Sequence, residues 1–278
     1  MKLYRVTSGI LIEKDHRFVL LAGENWDTFI NDDALFEKTA AAIRSRPDYP
    51  KGAALLQEQL LVPAQGQEIW AAGVTYYRSK VGRQEESKAG GGSDFYARVY
   101  EADRPELFFK ALPHRTVAHG GKVRIRRDSD WNVPEPELTL MLSSSGKIIA
   151  YTIGNDMSSR SIEGENPLYL PQAKTYDGSA ALGPCLYVTQ EALPAETFIS
   201  ISIARAGEVV FEGSVAISQI KRRFEDLAGW LYRECSFPCG ALLMTGTGIV
   251  PGNDFTLHSG DEIRITIAPI GTLINVVA

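Results

Sequence analysis

Glu135 and Glu137 stand two residues apart in Trp131-Asn132-Val133-Pro134-Glu135-Pro136-Glu137-Leu138, at the head of an apolar run. On a strand, residues i and i+2 project to the same side. Two carboxylates held together against an apolar core repel, and one must take up a proton unless a cation lies between them. A hard divalent cation such as Mg²⁺, Mn²⁺ or Ca²⁺ answers that need, because these ions prefer oxygen ligands. The alternative is an edge strand with two solvated glutamates, which the two prolines also suit. Asp156 changes the weighing. It follows the strand-like run 147–153, in Gly154-Asn155-Asp156-Met157-Ser158-Ser159-Arg160. Ser143–Gly146 has the character of a hairpin turn. Such a hairpin returns Asp156 toward the end where Glu137 begins, so three carboxylates would meet at one cation. The competing role for Asp156 is a turn or helix cap. Lys174 lies in the polar stretch Pro171–Ser179. It is either a solvated charge or, desolvated beside a metal, a proton acceptor. Thr245-Gly246-Thr247-Gly248 and Gly271-Thr272-Leu273 are Gly-containing turns, each a weak signal alone.

The elements that must position these groups fall into two regions. Residues 2–6, 9–13 and 17–22 are short and strand-like, with Ser8-Gly9 and Lys14-Asp15-His16 as turns. Asp32 or Asp33 is placed to cap a helix running to about Arg46, with Leu35, Phe36, Ala42 and Ile43 on one face. Pro47 and Pro50 stop it, and a second short helix covers 53–60. The character changes near Pro63. Beyond it come short strand candidates at 69–74, 107–111, 122–126, 137–142, 147–153, 184–188, 198–204, 208–212, 241–245, 262–267 and 272–277, separated by Gly, Pro, Asn and Asp. One helix is expected over 219–233, capped by Ser218, with Ile220, Phe224, Leu227, Ala228 and Leu231 as its apolar face. The absence of βαβα alternation disfavours a doubly wound nucleotide fold. The expectation is an α+β protein, mostly β, with a small N-terminal α/β module over 1–63 and a β-rich domain over 64–278. Residues 78–98 are polar and carry Gly90-Gly91-Gly92. They form either a surface loop or a lid on which Arg78, Arg83 and Lys88 meet a charged substrate.

Composition excludes several classes. The 278 residues are 44% hydrophobic, enough for a core without disulfides or a structural metal. Lys plus Arg number 29 against 34 Asp plus Glu, a net charge of −5, which argues against a nucleic-acid binder. No apolar run is long enough to span a membrane, and the N-terminal stretch lacks the pattern of a secretory signal. Three cysteines, Cys185, Cys235 and Cys239, make no disulfide framework and point to the cytoplasm.

The order of the motifs carries a resemblance. Glu-Pro-Glu at 135–137, then Asn155-Asp156-Met157-Ser158-Ser159-Arg160, then Lys174 with Asp177 ahead of Gly183-Pro184, then Thr245–Gly248, then Gly271-Thr272-Leu273-Ile274-Asn275 resembles the fumarylacetoacetate hydrolase family from about Ile69 to the C-terminus. The resemblance implies a mixed β-roll catalytic domain and a divalent metal, usually Mg²⁺. It implies Glu135, Glu137 and Asp156 as ligands and Lys174 in the active site. Acylpyruvate hydrolases of the family carry a His-Glu pair on the lid that activates water; here those positions are Ser79 and Gly82, with Glu85 and Glu86 as candidate substitutes. Dehydration needs no water nucleophile. The stretches around Trp131–Leu138 and Glu165-Asn166-Pro167-Leu168-Tyr169-Leu170-Pro171-Gln172-Ala173-Lys174 resemble the 2-keto-3-deoxy sugar acid dehydratases of the family. That likeness implies Glu106, ahead of Phe108-Phe109-Lys110, and Thr272 as further catalytic residues, with Thr247 at the substrate. The expected reaction is metal-dependent loss of water from a 2-keto-3-deoxy sugar acid, giving a 2-oxo acid semialdehyde. The alternative is C–C hydrolysis of a 2,4-diketo acid. Members of the family are usually dimers or higher assemblies, so a homodimer acting on a small 2-oxo acid is expected.

Overall fold

The computed structural model describes residues 1–78 and 93–278. Arg83 and Lys88, like Ser79, Gly82, Glu85 and Glu86, lie outside the described residues. The chain opens with strands β1 (Lys2–Val6), β2 (Gly9–Lys14) and β3 (Arg17–Ala22), then helices α1 (Trp26–Ile30), α2 (Leu35–Ser45) and α3 (Gly52–Gln59). Strand β4 (Glu68–Gly73), helix α4 (Ser93–Glu101), strand β5 (Glu106–Ala111) and the two-residue strands β6 (Thr116–Val117) and β7 (Lys122–Val123) follow. A long hairpin joins β8 (Asn132–Leu142) to β9 (Ile148–Ser159), and α5 (Arg160–Glu165) and α6 (Leu170–Lys174) come next. The chain ends with β10 (Ala180–Tyr187), β11 (Phe198–Arg205), β12 (Glu208–Ala216), α7 (Phe224–Leu231), β13 (Ala241–Met244), β14 (Glu262–Ile267) and β15 (Gly271–Val277).

Among the described residues the strands form two sheets. The larger runs β3-β2-β1-β10-β9-β8-β13-β4-β5, with β6 added beside β10; the smaller runs β12-β11-β14-β15-β7. The N-terminal hairpins join the large sheet through β1, where Lys2 pairs with Tyr187 and Leu3 with Leu186. The architecture is α+β and mostly β. Leu138, Leu140 and Ile153 turn to one face of the large sheet and pack with Ile199, Ile201, Ile203, Ile263 and Ile265 of the small one. The other face carries Met141, Ala150, Leu242 and Met244, which share a core with Trp26, Phe29, Ile30, Leu35 and Ile43 of the N-terminal helices. β8 is buried along its whole length. Glu135 and Glu137 share parity with Thr139 and Met141, so they extend the second of these faces.

Two helical expectations differ from the structure. Ser218 does not cap a helix over 219–233. Residues Ile217–Gln219 form a single 3₁₀ turn, and the α-helix begins at Phe224. Tertiary pairing holds the segment between them extended: Ile220 bridges to Tyr76, and the Lys221 N–H donates to the Thr75 carbonyl. Helix α2 starts at Leu35 after Ala34, and Asp32 accepts the Ala34 N–H from outside the helix. Helices α5 and α6, too short for a periodic pattern, had no counterpart in the sequence reading.

Candidate active site

The β8–β9 hairpin turns where expected: Ser143 N–H donates to Lys147 O, and Gly146 N–H to Ser143 O. Its strand β9 runs past Ile153 to Ser159, so Asp156 is a strand residue and not a cap. Glu135 pairs directly with Asp156, and Glu137 with Gly154. Directly paired residues share a face, which puts the three carboxylates on one side. A ligand oxygen from each lies within 4.8 Å of the others.

The prolines of β8 have a local role. β13 pairs with β8 only along Thr139–Leu142. A proline donates nothing to a ladder, so Pro134 and Pro136 suit a stretch of β8 that has lost its neighbour on that side. The chain leaving β13 folds into the gap instead. Thr245 N–H still reaches Leu138 O, and then Gly246 N–H donates to Glu137 Oε2 at 2.5 Å. Gly246 has φ +91°, and a Cβ there would stand 2.1 Å from Thr75 Oγ1, so only glycine fits this approach.

Cations cross-link the acids. Lys174 Nζ, at the end of α6, donates to Glu135 Oε2 at 2.7 Å, Asp156 Oδ2 at 3.0 Å and Ser158 Oγ at 2.6 Å. Lys110 Nζ lies 2.6 Å from Asp156 Oδ1 and also donates to the carbonyls of Met157 and Lys174. Arg160 Nη2 donates to Glu135 Oε1 at 2.9 Å. All of these side chains are buried. Burial, reinforced by the charges of Asp156 and Glu135, pushes the Glu137 carboxyl well above its ordinary pKa. Burial pushes Asp156 up as well, but Lys110 and Lys174 outweigh it and hold Asp156 below the usual carboxylate value. Burial also lowers the Lys110 ammonium pKa.

These groups border a pocket walled by Ala72 and Gly73 of β4, Glu106 and Phe108 of β5, the β8–β9 acids, Arg160 and Glu163 of α5, Lys174, Gly246, Thr247 and Val250. The pocket therefore draws on four strands, β9, β8, β4 and β5, and on the turn that leaves β13 between β8 and β4. Gly73 makes room for Glu106, because a Cβ there would fall 2.0 Å from Glu106 Oε2.

The structure brings together Glu135, Glu137, Asp156, Lys174, Glu106 and Thr247 from the residues singled out in the sequence. It leaves two others outside the pocket. Thr272 lies on β15 of the small sheet, where its Oγ1 is 2.9 Å from Thr266 Oγ1 on an exposed surface. It pairs with β14, not with any strand that builds the pocket. Arg78 is exposed and is not among the pocket's lining residues. Four contributors were not singled out: Lys110, Arg160, Glu163 and Ser158. Arg160 and Ser158 stood inside the quoted Asn155–Arg160 motif, and Glu163 is one helical turn beyond Arg160. Lys110 sits at a register slip between the pairs Trp70–Phe109 and Ile69–Ala111, a bulge that spacing alone does not announce.

The donor set fits a hard divalent cation. It offers three carboxylate oxygens on one buried face, and the Lys174 ammonium now bridges two of them as a cation would. With all groups ionised, Glu106, Glu135, Glu137, Asp156 and Glu163 set five negative charges against three positive ones on Lys110, Arg160 and Lys174. The difference among the described residues is the charge of one divalent ion.

Comparison with known proteins agrees with this layout. The chain is 48% identical over 223 residues to a "Probable 2-keto-3-deoxyxylonate dehydratase" of Haloferax volcanii, spanning 80% of this chain and 76% of the relative. It is 45% identical over 215 residues to a 2-dehydro-3-deoxy-D-arabinonate dehydratase of Saccharolobus solfataricus, spanning 77% of this chain and 72% of the relative. A solved structure described as 2-keto-3-deoxy-D-arabinonate dehydratase complexed with magnesium and 2,5-dioxopentanoate superposes with TM-score 0.85 at 36% identity, covering 100% of this chain and 98% of that one. The profile described as fumarylacetoacetate (FAA) hydrolase C-terminal matches residues 69–278. With most of its length matched, and with the acids, lysine and glycine turn of that profile region gathered at one pocket, the chain belongs to the fumarylacetoacetate hydrolase family.

Proposed function

We propose that the protein is a lyase that removes water from a 2-keto-3-deoxy sugar acid to give a 2-oxo acid semialdehyde. The observation that carries this reading is the meeting of three carboxylates with Lys174 and Glu106 in one buried pocket, in a chain 45–48% identical to relatives named as such dehydratases. Glu135, Glu137 and Asp156 would hold a divalent cation, Mg²⁺ by the hardness of the donors and by the ion in the related complex. Bound there, the ion would chelate the substrate's C1 carboxylate and C2 ketone and make the C3 hydrogens acidic.

The remaining work falls to side chains. The Lys174 ammonium is anchored here by Glu135, Asp156 and Ser158; with the carboxylates turned to the cation and one proton lost, its amine takes the proton from C3. Glu106 delivers a proton to the C4 hydroxyl, which leaves as water. The unsaturated 2-oxo acid then tautomerises to the semialdehyde. Thr247, which also lines the pocket, offers a hydroxyl to the substrate chain. Arg78, Arg83 and Lys88, on and beside the segment outside the described residues, are the proposed partners of substrate charge. We place the catalytic unit in residues 64–278, with 1–63 as a module that extends its sheet.

We also place the enzyme in the cytoplasm, where its free thiols Cys185, Cys235 and Cys239 suit a reducing compartment. No helix among the described residues is long and apolar enough to cross a membrane. We also propose a homodimer or higher homo-oligomer, which light scattering tests. The function is tested with Mg²⁺ on a panel of 2-keto-3-deoxy pentonates and hexonates alongside acylpyruvates. Semialdehyde formation, followed with an aldehyde dehydrogenase, is the expected result. Acylpyruvate cleavage without semialdehyde would replace this reading with C–C hydrolysis.

A further inference from the structure

Among the described residues, Val74 is the one buried residue other than glycine with a left-handed backbone: its φ is +53° and its exposure 5%. The others, Asp15, His16, Ala206 and Glu234, all lie in exposed turns. A β-branched side chain crowds its own backbone in that region, so the conformation persists only where neighbours impose it. Here they do so from both sides. Gly73, before it, is still paired with Glu106 of β5. Thr75, after it, donates from Oγ1 to the Thr245 carbonyl at 2.7 Å and accepts the Lys221 N–H. Tyr76 then bridges to Ile220.

The turn changes where the side chain goes. Along an unbroken strand, residue 74 would share the side of Ala72, which packs in the core between the sheets, and would face away from Gly73. Val74 instead belongs to neither apolar core and lines the pocket with Glu106, Phe108 and Val250.

We propose that Val74 is a specificity-determining residue: the left-handed turn sets its isopropyl group as the wall that limits the length of the substrate's hydroxylated tail. The inference rests on the reading of the site as that of a sugar-acid dehydratase. In that reading C1 and C2 lie at the acids of β8 and β9, and C4 lies at Glu106. The chain beyond C4 then runs past Glu106 toward the residue that follows Gly73, the pairing partner of Glu106. A branched apolar side chain offers a hydroxyl no hydrogen bond. Each further carbon of the tail, with its hydroxyl, therefore meets both a lack of room and an unpaired polar group.

The test compares kcat/KM for a 2-keto-3-deoxy hexonate with that for a pentonate, in Mg²⁺, for the full-length wild type and for Val74→Gly, Val74→Ala and Val74→Ile. The first two variants open the wall, and each is expected to raise the hexonate-to-pentonate ratio by about tenfold. Val74→Ile adds a methylene and is expected to lower it. Thermal melting reads the backbone. Val74→Gly and Val74→Ala both lose the isopropyl group, but only glycine adopts this φ without strain. Val74→Gly is therefore expected to melt above Val74→Ala. A ratio unchanged in variants that fold, or loss of turnover on both substrates in a folded variant, overturns the proposal. Val74→Ala melting at or above Val74→Gly removes the strained placement and overturns it as well. Where neither of these two variants folds, Val74→Ile decides by the direction in which its ratio moves. A wild type that forms no semialdehyde from either substrate overturns the dehydratase reading itself, and the tail assignment falls with it.

Discussion

Lys174 Nζ stands 2.7 Å from Glu135 Oε2, joining the end of helix α6 to the middle of the central strand β8. The same ammonium reaches Asp156, so the proposed base and two proposed ligands form one unit. Lys174→Met is expected to lower kcat for dehydration by roughly 10²–10⁴-fold, the usual worth of a positioned acid–base group. Mg²⁺ binding should survive in that variant, because the carboxylates remain. Full turnover in Lys174→Met would remove Lys174 from the chemistry.

Glu137 supplies a prediction about pH and metal. Its folded pKa lies well above the ordinary 4.5, first through burial and then through Asp156 and Glu135. For an acid raised in this way the stabilising contribution is present at pH below about 4.5 and is lost as pH rises through the folded value. The chelated protein should therefore lose stability on going from acidic to neutral pH, and a divalent cation should restore it. Glu137→Gln removes the charge at nearly constant shape. In chelator at pH 7 it is expected to melt above the wild type, to show no rise in Tm with Mg²⁺, and to be inactive. A wild-type metal response in Glu137→Gln would exclude Glu137 as a ligand.

Gly73 predicts the placement of Glu106. A Cβ at residue 73 would fall 2.0 Å from Glu106 Oε2, the far end of a flexible side chain, so the fold can yield by moving that carboxyl. Gly73→Ala is expected to leave Tm nearly unchanged while kcat falls on the order of 10²-fold, the scale of a misplaced catalytic group. Glu106→Gln should depress kcat at least as far, and the double variant should be no worse than the worse single one. Wild-type kcat in Gly73→Ala would detach Glu106 from the reaction.

Most of the strands were legible because they are aliphatic or aromatic runs set between Gly, Pro, Asn and Asp. The hairpin that joins β8 to β9 could be read from Ser143–Gly146, and with it the approach of Asp156 to the two glutamates. The helix over Phe224–Leu231 was misplaced at its start, since the pairing of Ile220 with Tyr76 is a contact across the fold that no local pattern records. Lys110 was passed over because it occupies a bulge. Thr272 was drawn in by motif order, whereas chain order does not say which of two sheets a strand will join.

A control for stability lies away from the pocket. Asp261 is buried and accepts two hydrogen bonds from Arg205, both 2.8 Å, as well as the His258 N–H at 2.8 Å. Burial pushes its pKa up, but the bonds from Arg205 and His258 outweigh this and leave it below the ordinary 3.8. Its contribution is complete above about pH 4 and is lost as pH falls through the folded value. Asp261→Asn should cost about 1–3 kcal/mol in urea unfolding at pH 7, and the difference from wild type should shrink under strongly acidic conditions. An unchanged midpoint at pH 7 would show that Arg205 and Asp261 contribute nothing net.

The burial of β8 along its whole length, with neighbours on both sides for part of it, bears on how the protein would breathe. Amide protons of β8 and β9 should exchange with solvent only when the entire molecule opens. No partly opened state would then keep the rest of the fold while releasing the ligands. Every increment of affinity for the ion would slow exchange throughout the large sheet, at amides far from the pocket as much as beside it.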